Sequence, residues 1–460
     1  MLTWLVASAH AFCGFYVGGA GADLYNDATV VVMMRDGSRT VLSMQNDYTG
    51  PTEDFAMVVP VPEVLDEEDV KTLPSSVFAK IDTLAAPRLV EYWEMDPCAP
   101  IPPSRAPGSG LRFMRGGAMP TDSEGAGDLG VTVEASFAVG EYDIVILSAK
   151  DSGGLDTWLR REGYNIPTKA ETVLRGYVAQ GTKFFVAKVD PERVTWDGDR
   201  AVLSPLRIAY DDERFGLPVR LGMLNARGAQ DLIVHILGKN QRYEMANKPN
   251  VTIPTNLRVH DKVRDDFGGF YEAVLANTFR RNPKAVVTEY SWQSGSCDPC
   301  PGPTLQNLDI ATLGGDLLGD SNPMTWTLTR LHARYTAESL GEDLVFRPGD
   351  AVIGGRGTPD AEGMFVEEVQ PAPHGGNQFQ GRYAILHPWE GKLSCENPRK
   401  GMWGGPPSGP NPGTDVAKSR LQTGAVTASP NLASLLVDPI PGVVPGKTPA
   451  DPGLIPEMGE

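Results

Sequence analysis

The stretch TVVVMMRDGSRTVLSM, Thr29–Met44, decides the fold class. Two apolar runs, Thr29–Met34 and Thr40–Met44, flank Asp36-Gly37. Glycine accepts the positive φ of a tight turn, so Asp-Gly between such runs predicts a β-hairpin. Next along the chain, FAMVVPVP (55–62) predicts a further strand. Its prolines place it at a sheet edge or a strand end, because proline lacks the N–H that a ladder needs. Val77, Ile81 and Leu84 recur at helical spacing within 76–84, and 88–93 reads as a strand. Leu155, Trp158 and Leu159 mark a short helix. Thr168 and Glu171 have capping-box spacing before another helix, which Gly181 ends, and 184–189 reads as a strand. The segments 219–224 and 231–237, around 225–228, predict a second hairpin. The best-patterned helix is 266–279, with Phe270, Tyr271, Val274, Leu275 and Phe279 along one side. Strands without regular βαβ alternation point to the α+β class, with mixed or antiparallel sheets and packed helices.

One internal echo bears on domain organisation. Residues 91–100 read EYWEMDPCAP and residues 289–303 read EYSWQSGSCDPCPGP, each after a helix and within or beyond a strand. Both carry Glu-Tyr, a Trp and then Asp-Pro beside cysteine. The echo predicts two related halves, 12–215 and 216–400; chance reuse of Asp-Pro turns is the alternative. A length of 460 residues suits two or three domains. A soft loop spans 97–130, with Pro-Pro at 102–103 and Gly-Gly at 116–117. Eleven prolines fall between Pro406 and Pro456, so 401–460 is expected to be a disordered Pro/Gly-rich tail.

Charge excludes some functions. Lys and Arg number 41 against 58 Asp and Glu, a net charge of −17 that repels nucleic acid and anionic lipid. No segment approaches the roughly 20 apolar residues of a transmembrane helix. The first eleven residues, MLTWLVASAHA, combine a short apolar run with Ala9-His10-Ala11. This is the pattern of a secretory signal cleaved before Phe12, although no Lys or Arg precedes the run. The competing reading is a buried N-terminal strand. Export is therefore expected.

Several separated blocks carry a resemblance. They are CGFY (13–16), NDYTG (46–50), EDFAMVVPVP (53–62), Trp158-Leu with Gly163-Tyr, FFVAK (184–188), PVRLG (218–222) and LTRL (328–331). In this order they resemble a bacterial family of exported proteins, domain of unknown function 2330, over most of the chain to about residue 400. The resemblance implies a bacterial source and an exported location. It implies no activity.

Export changes the reading of the five cysteines, Cys13, Cys98, Cys297, Cys300 and Cys395. In an oxidising compartment structural disulfides are the default, with Cys98, Cys297, Cys300 and Cys395 as candidates and Cys13 the expected odd one. Cys297 and Cys300 either pair together or hold separate partners. Three other readings compete. Cys297-Asp-Pro-Cys300 is half of a Cys₄ zinc set that Cys98 and Cys395 could complete, but a second CxxC is missing. A thioredoxin-like redox pair needs a helix N-terminus, which Pro303 opposes. An odd count also allows a free thiol.

Other catalytic patterns fail. Gly319-Asp320-Ser321-Asn322 reads as a loop turn, lacking the partners of a Gly-Asp-Ser hydrolase. Gly442–Thr448 is one residue short of a phosphate-binding loop. Asp197-Gly-Asp199 reads as a hairpin turn, and Asp122, Glu124 and Asp128 lack calcium-loop spacing. His235, His260, His374 and His387 read as ordinary core or surface residues. The exception is 325–335, where period two places Trp326, Leu328, Arg330, His332 and Arg334 on one face. Arg330, His332 and Arg334 are candidates for binding an anion or an acidic partner. The preferred account is a solvated strand face paired with the chain's own carboxylates.

These readings describe an exported, disulfide-stabilised, non-catalytic binding or envelope scaffold protein. It requires no cofactor, and its partner is an unidentified envelope or extracellular one. The alternative is an extracellular hydrolase whose site assembles from separate loops.

Overall fold

The computed structural model describes residues 15–17, 25–49, 56–99, 130–163, 166, 169–197, 200–225, 229–355, 370–371, 376–406, 415–416 and 431–445. The segment 1–11 expected to be a signal, Cys13, Thr168, most of the soft loop with its three acidic residues, and His374 lie outside them.

The Asp-Gly hairpin forms and extends beyond its apolar centre. Strand Tyr25–Asp36 pairs antiparallel with Arg39–Thr49, and Asp36 faces Arg39 across a two-residue turn in which Gly37 has φ of +59°. Both faces of this hairpin are buried. Val31, Met33, Leu42 and Met44 point into one core, while Val32, Met34 and Val41 point into another. Burial on both sides explains why the first strand is an unbroken apolar run and does not alternate.

The hairpin lies inside an eleven-stranded mixed sheet. Tyr25–Asp36 runs parallel to Gln230–Lys239, which is antiparallel to Trp326–Tyr335. Val286–Gln293 follows on the far side of Trp326–Tyr335. Beyond the hairpin's other strand lie Leu206–Asp211 and Val70–Thr72. Strands from before and after residue 215 therefore share one sheet, and the position runs through a common core.

A second sheet contains Ala56–Val61, Lys183–Val189, Tyr142–Ala149 and Val131–Val139, with Phe15–Val17 on the outer side of Ala56–Val61. The proline-bearing strand is thus second in its sheet. Its pairing with Phe15–Val17 stops at Val58, short of Pro60, and Pro62 falls just past the strand end. One face meets the large sheet through Met57, Val59, Ile144, Ile146 and Phe185. Helices Ser152–Arg161 and Ala170–Ala179 cover the other through Leu155, Leu159, Leu174 and Tyr177. The class is α+β, as the element order indicates.

The second predicted hairpin does not form. Leu221–Asn225 is a 3₁₀ turn whose Leu221 packs under the two helices, and Gln230–Lys239 pairs with strands distant in sequence. Apolar runs specify burial but not the partner, and here non-local pairing replaces the local turn. Helix Phe267–Arg281 starts one residue later than expected, because the Asp266 side chain caps it by accepting from Gly269 N at 2.9 Å.

Part of the expected tail is packed. Leu432, Leu436 and Ile440 join the core beneath helix Phe267–Arg281, and Asp438, 2 % exposed, accepts from Arg258 N and Nε, both at 2.7 Å. Residues 431–445 thus depart from the expectation of a flexible tail: a few apolar anchors and one ion pair offset their ordering entropy. A small sheet joins Leu257–Arg258, Arg382–His387 and Arg88–Glu94 in parallel, with Trp403–Gly404 antiparallel to the last.

Candidate functional site

The Trp326–Tyr335 strand places its charged face as period two predicts, but in a different environment. Leu331, Ala333 and Tyr335 point into the core between the sheets. Arg330, His332 and Arg334 point the other way, where helices Ser76–Ala85 and Phe267–Arg281 supply Asp82, Tyr271 and Phe279. The face is not solvated: Arg330 is 1 % exposed and His332 7 %. The cause is the two covering helices, which arrive from distant parts of the chain.

Six groups alternate in sign along this face. Arg330 bonds Asp82 and donates through Nε to Glu289 Oε2 at 2.5 Å. His332 Nδ1 lies 2.9 Å from Glu289 Oε1, and its Nε2 lies 3.4 Å from Asp231 Oδ1. Arg334 closes the line with two 2.7 Å bonds to Asp231 and sits over the Phe279 ring. Tyr271 Oη also donates to Glu289. With His332 protonated, three cations face three carboxylates and the buried charge sums to zero.

The protonation states follow from this geometry. Burial alone would lower the His332 pKa, but the Glu289 charge and the Asp231 partner outweigh it and raise it to about 9. Burial would raise Glu289, yet His332 and Arg330 hold it at about 2. Asp231 is likewise held low by His332 and Arg334 against its desolvation. His235, whose Nε2 is 3.4 Å from Arg330, is pushed down to about 3 by burial and then by the Arg330 charge, so it is neutral.

These shifts predict a stability optimum near pH 6.5. The His332 contribution is fully present below its ordinary value of 6.5 and is lost as pH rises through about 9. The His235 contribution is present above 6.5 and is lost as pH falls towards about 3; the Glu289 contribution is lost below 4.5, towards about 2. The alkaline limb should cost on the order of 3 kcal/mol, given 1.36 kcal/mol per pKa unit. Urea midpoints measured from pH 6.5 to 10 check this, and a flat profile would mean that His332 is uncharged in the fold.

A smaller cluster repeats the pattern nearer the surface. Glu91 accepts from Arg264 Nε and Nη2 at 2.6 and 2.7 Å and from His387 Nε2 at 2.9 Å, and His387 stacks on Trp93 with ring centroids 4.4 Å apart. The Glu-Tyr echo thus marks two glutamates, Glu91 and Glu289, each holding one Arg and one His. Asp82, Asp231 and Arg264 carry these interactions and belong to no motif. The echo named both glutamates without indicating their partners.

The structure pairs Cys98 with Cys395 and Cys297 with Cys300. Among the described residues no group of three or more His, Cys, Asp and Glu is placed to hold a metal ion. Gly319–Asn322 is a turn: Asp320 accepts from Asn322 N, and Gly319 has φ of +72°. Strands Thr195–Asp197 and Arg200–Val202 pair antiparallel with Asp197 opposite Arg200, while Gly198 and Asp199 of the Asp-Gly-Asp sequence lie outside the described residues. A family model described as an uncharacterized protein conserved in bacteria, domain of unknown function 2330, matches residues 6–347. The chain belongs to this family. No curated protein and no solved structure matches it. The span matched to the domain of unknown function 2330 includes the whole line from Asp82 to Arg334, together with Cys98, Cys297 and Cys300. His387, Cys395 and the packed 431–445 segment fall beyond it.

Proposed function

We propose that this chain is an exported, disulfide-stabilised protein acting as a non-catalytic binding or scaffold module of the bacterial envelope or extracellular space. The observation that carries this reading is the Cys98–Cys395 bridge, which joins positions 297 residues apart. Such bridges persist in oxidising compartments and are rare in reducing ones. The leader-like 1–11 segment supports the same compartment. The strongest acid–base constellation supports a structural role, since its carboxylates, guanidinium groups and imidazole are committed to one another inside the sheet. A general base needs a free position near a reacting proton, and Glu289 already accepts from Arg330, His332 and Tyr271.

Mass spectrometry of the protein from its native host tests the proposal. The expected result is a mature N-terminus at Phe12, with Cys13 labelled and Cys98 and Cys395 protected from alkylation before reduction. A protein retained inside the cell, starting at Met1 with all five cysteines alkylated, would refute it.

A further inference from the structure

The two bridges differ in what they do for the fold. Cys98–Cys395 closes a loop of 297 residues, whereas Cys297–Cys300 encloses only Asp298 and Pro299. The stabilisation from a cross-link grows with the loop it closes, so the short bridge contributes the lesser share. Nor is it needed to shape its own loop. Gln380 Nε2 donates to the Asp298 carbonyl, and Arg88 Nη1 donates to the Pro299 carbonyl at 2.6 Å. Those side chains belong to strands Gln378–Gln380 and Arg88–Glu94, so the loop keeps its seat whether or not the sulfurs are joined.

The sulfurs also differ from each other. Cys300 is exposed, while Cys297 is half-buried against the core containing Tyr290, Trp292 and Leu305. Arg88, 0 % exposed, donates to the carbonyl oxygens of Leu84, Ala86 and Pro299 and sits over the Tyr290 ring, and among the described residues it pairs with no carboxylate. A buried cation that pairs with no carboxylate among the described residues, and that bonds the carbonyl preceding Cys300, favours negative charge in the Cys297–Cys300 loop. A thiolate there would balance it.

We propose that Cys297–Cys300 is a thiol–disulfide exchange site that passes its bond to a protein dithiol. A partner thiolate attacks Cys300 Sγ, the Cys297–Cys300 bond breaks, and its electron pair leaves on Cys297 Sγ. The partner's second thiolate then attacks its own sulfur in the mixed disulfide, and Cys300 leaves as thiolate. The partner dithiol is oxidised by two electrons and gives up two protons; the Cys297–Cys300 pair is reduced and takes up what protons its thiolates accept. Arg88 is a positioning residue: it seats the loop and stabilises the leaving sulfur. The inference is independent of the function proposed above, which rests on Cys98–Cys395.

The full-length oxidised protein, equilibrated in glutathione buffers, acid-quenched, alkylated and mapped by mass spectrometry, tests it. Cys297–Cys300 should be half-reduced at a glutathione ratio that leaves Cys98–Cys395 oxidised and circular dichroism unchanged. Offered a peptide disulfide, Cys297→Ser should form a mixed disulfide through Cys300, with release of the peptide's other sulfur as thiolate, at least about ten-fold faster than Cys300→Ser does through Cys297, the difference expected from accessibility. In the reduced protein, the alkylation rate of Cys300 should have its pH midpoint below the ordinary thiol value of about 8.5. Arg88→Gln should return that midpoint upwards; should that variant not fold, the wild-type midpoint decides. Reduction of both bridges only together and only in denaturant, or a Cys300 midpoint at or above the ordinary value, would overturn the proposal.

Discussion

Replacing Glu289 with alanine is expected to lower the unfolding free energy by about 3–5 kcal/mol, the loss typical when one partner of a buried ion pair is removed. Glu289 is fully buried and accepts from Arg330, His332 and Tyr271. Without it, three cations face Asp82 and Asp231 alone, and the buried line carries a net positive charge. His332 can shed its proton, because its raised pKa depends first on the Glu289 charge. Arg330 cannot, since guanidinium stays protonated in proteins. Glu289→Gln should retain the packing and still lose most of this stability, which separates charge from shape. Replacing Asp82, Glu289, Arg330 and His332 together with apolar residues of similar volume, which leaves the neutral Asp231–Arg334 pair, should be much less harmful than removing Glu289 alone, because the desolvation cost disappears with the charges. Urea unfolding of the three variants at pH 6.5 measures this order. A loss below about 1 kcal/mol for Glu289→Ala would mean that Arg330 finds another carboxylate.

Removing the Cys98–Cys395 bridge, with serine at both positions, should cost about 4 kcal/mol, within the range for loss of a native disulfide closing a long loop. The bridge ties the exit of strand Arg88–Glu94 to the irregular stretch after strand Arg382–His387. That stretch has other ties: Glu94 accepts from Trp389 N and Gly401 N, and Met95 N donates to Met402 O at 2.8 Å. These hydrogen bonds are half-exposed and should hold only locally, so the first visible effect is proteolytic cleavage within 388–402, ahead of global unfolding. The same substitutions at Cys297 and Cys300 should cost less than about 2 kcal/mol by the chain-entropy argument. Limited proteolysis and urea midpoints of the two double variants make the comparison. Equal losses would mean that loop length does not set the contribution of either bridge.

Both predictions depend on partners that local pattern does not specify. The 29–44 hairpin was legible because its turn and its apolar strands are contiguous. The 266–279 helix was legible because its buried stripe repeats along one element, and the Trp326–Tyr335 strand because its alternation is regular. The 219–237 segment misled because its two apolar runs look adjacent while their partners are not. Composition pointed to a flexible tail across 401–460, yet Leu432, Leu436, Ile440 and Asp438 suffice to seat 431–445. Such anchors are too sparse to outweigh eleven prolines in a composition count.

By itself, then, the sequence determined the α+β class, the main hairpin and the alignment of Arg330, His332 and Arg334 on one side of one strand. It also singled out the four cysteines that the fold joins in two pairs. Only the tertiary structure decided that this charged face is interior, that Asp82, Glu289 and Asp231 neutralise it, and which cysteine meets which. The physical reason is range. Period and propensity act over a few residues and fix sidedness, whereas burial and ion pairing depend on which distant helix covers a face. Asp82 and Arg330 are 248 positions apart, and no local pattern connects them.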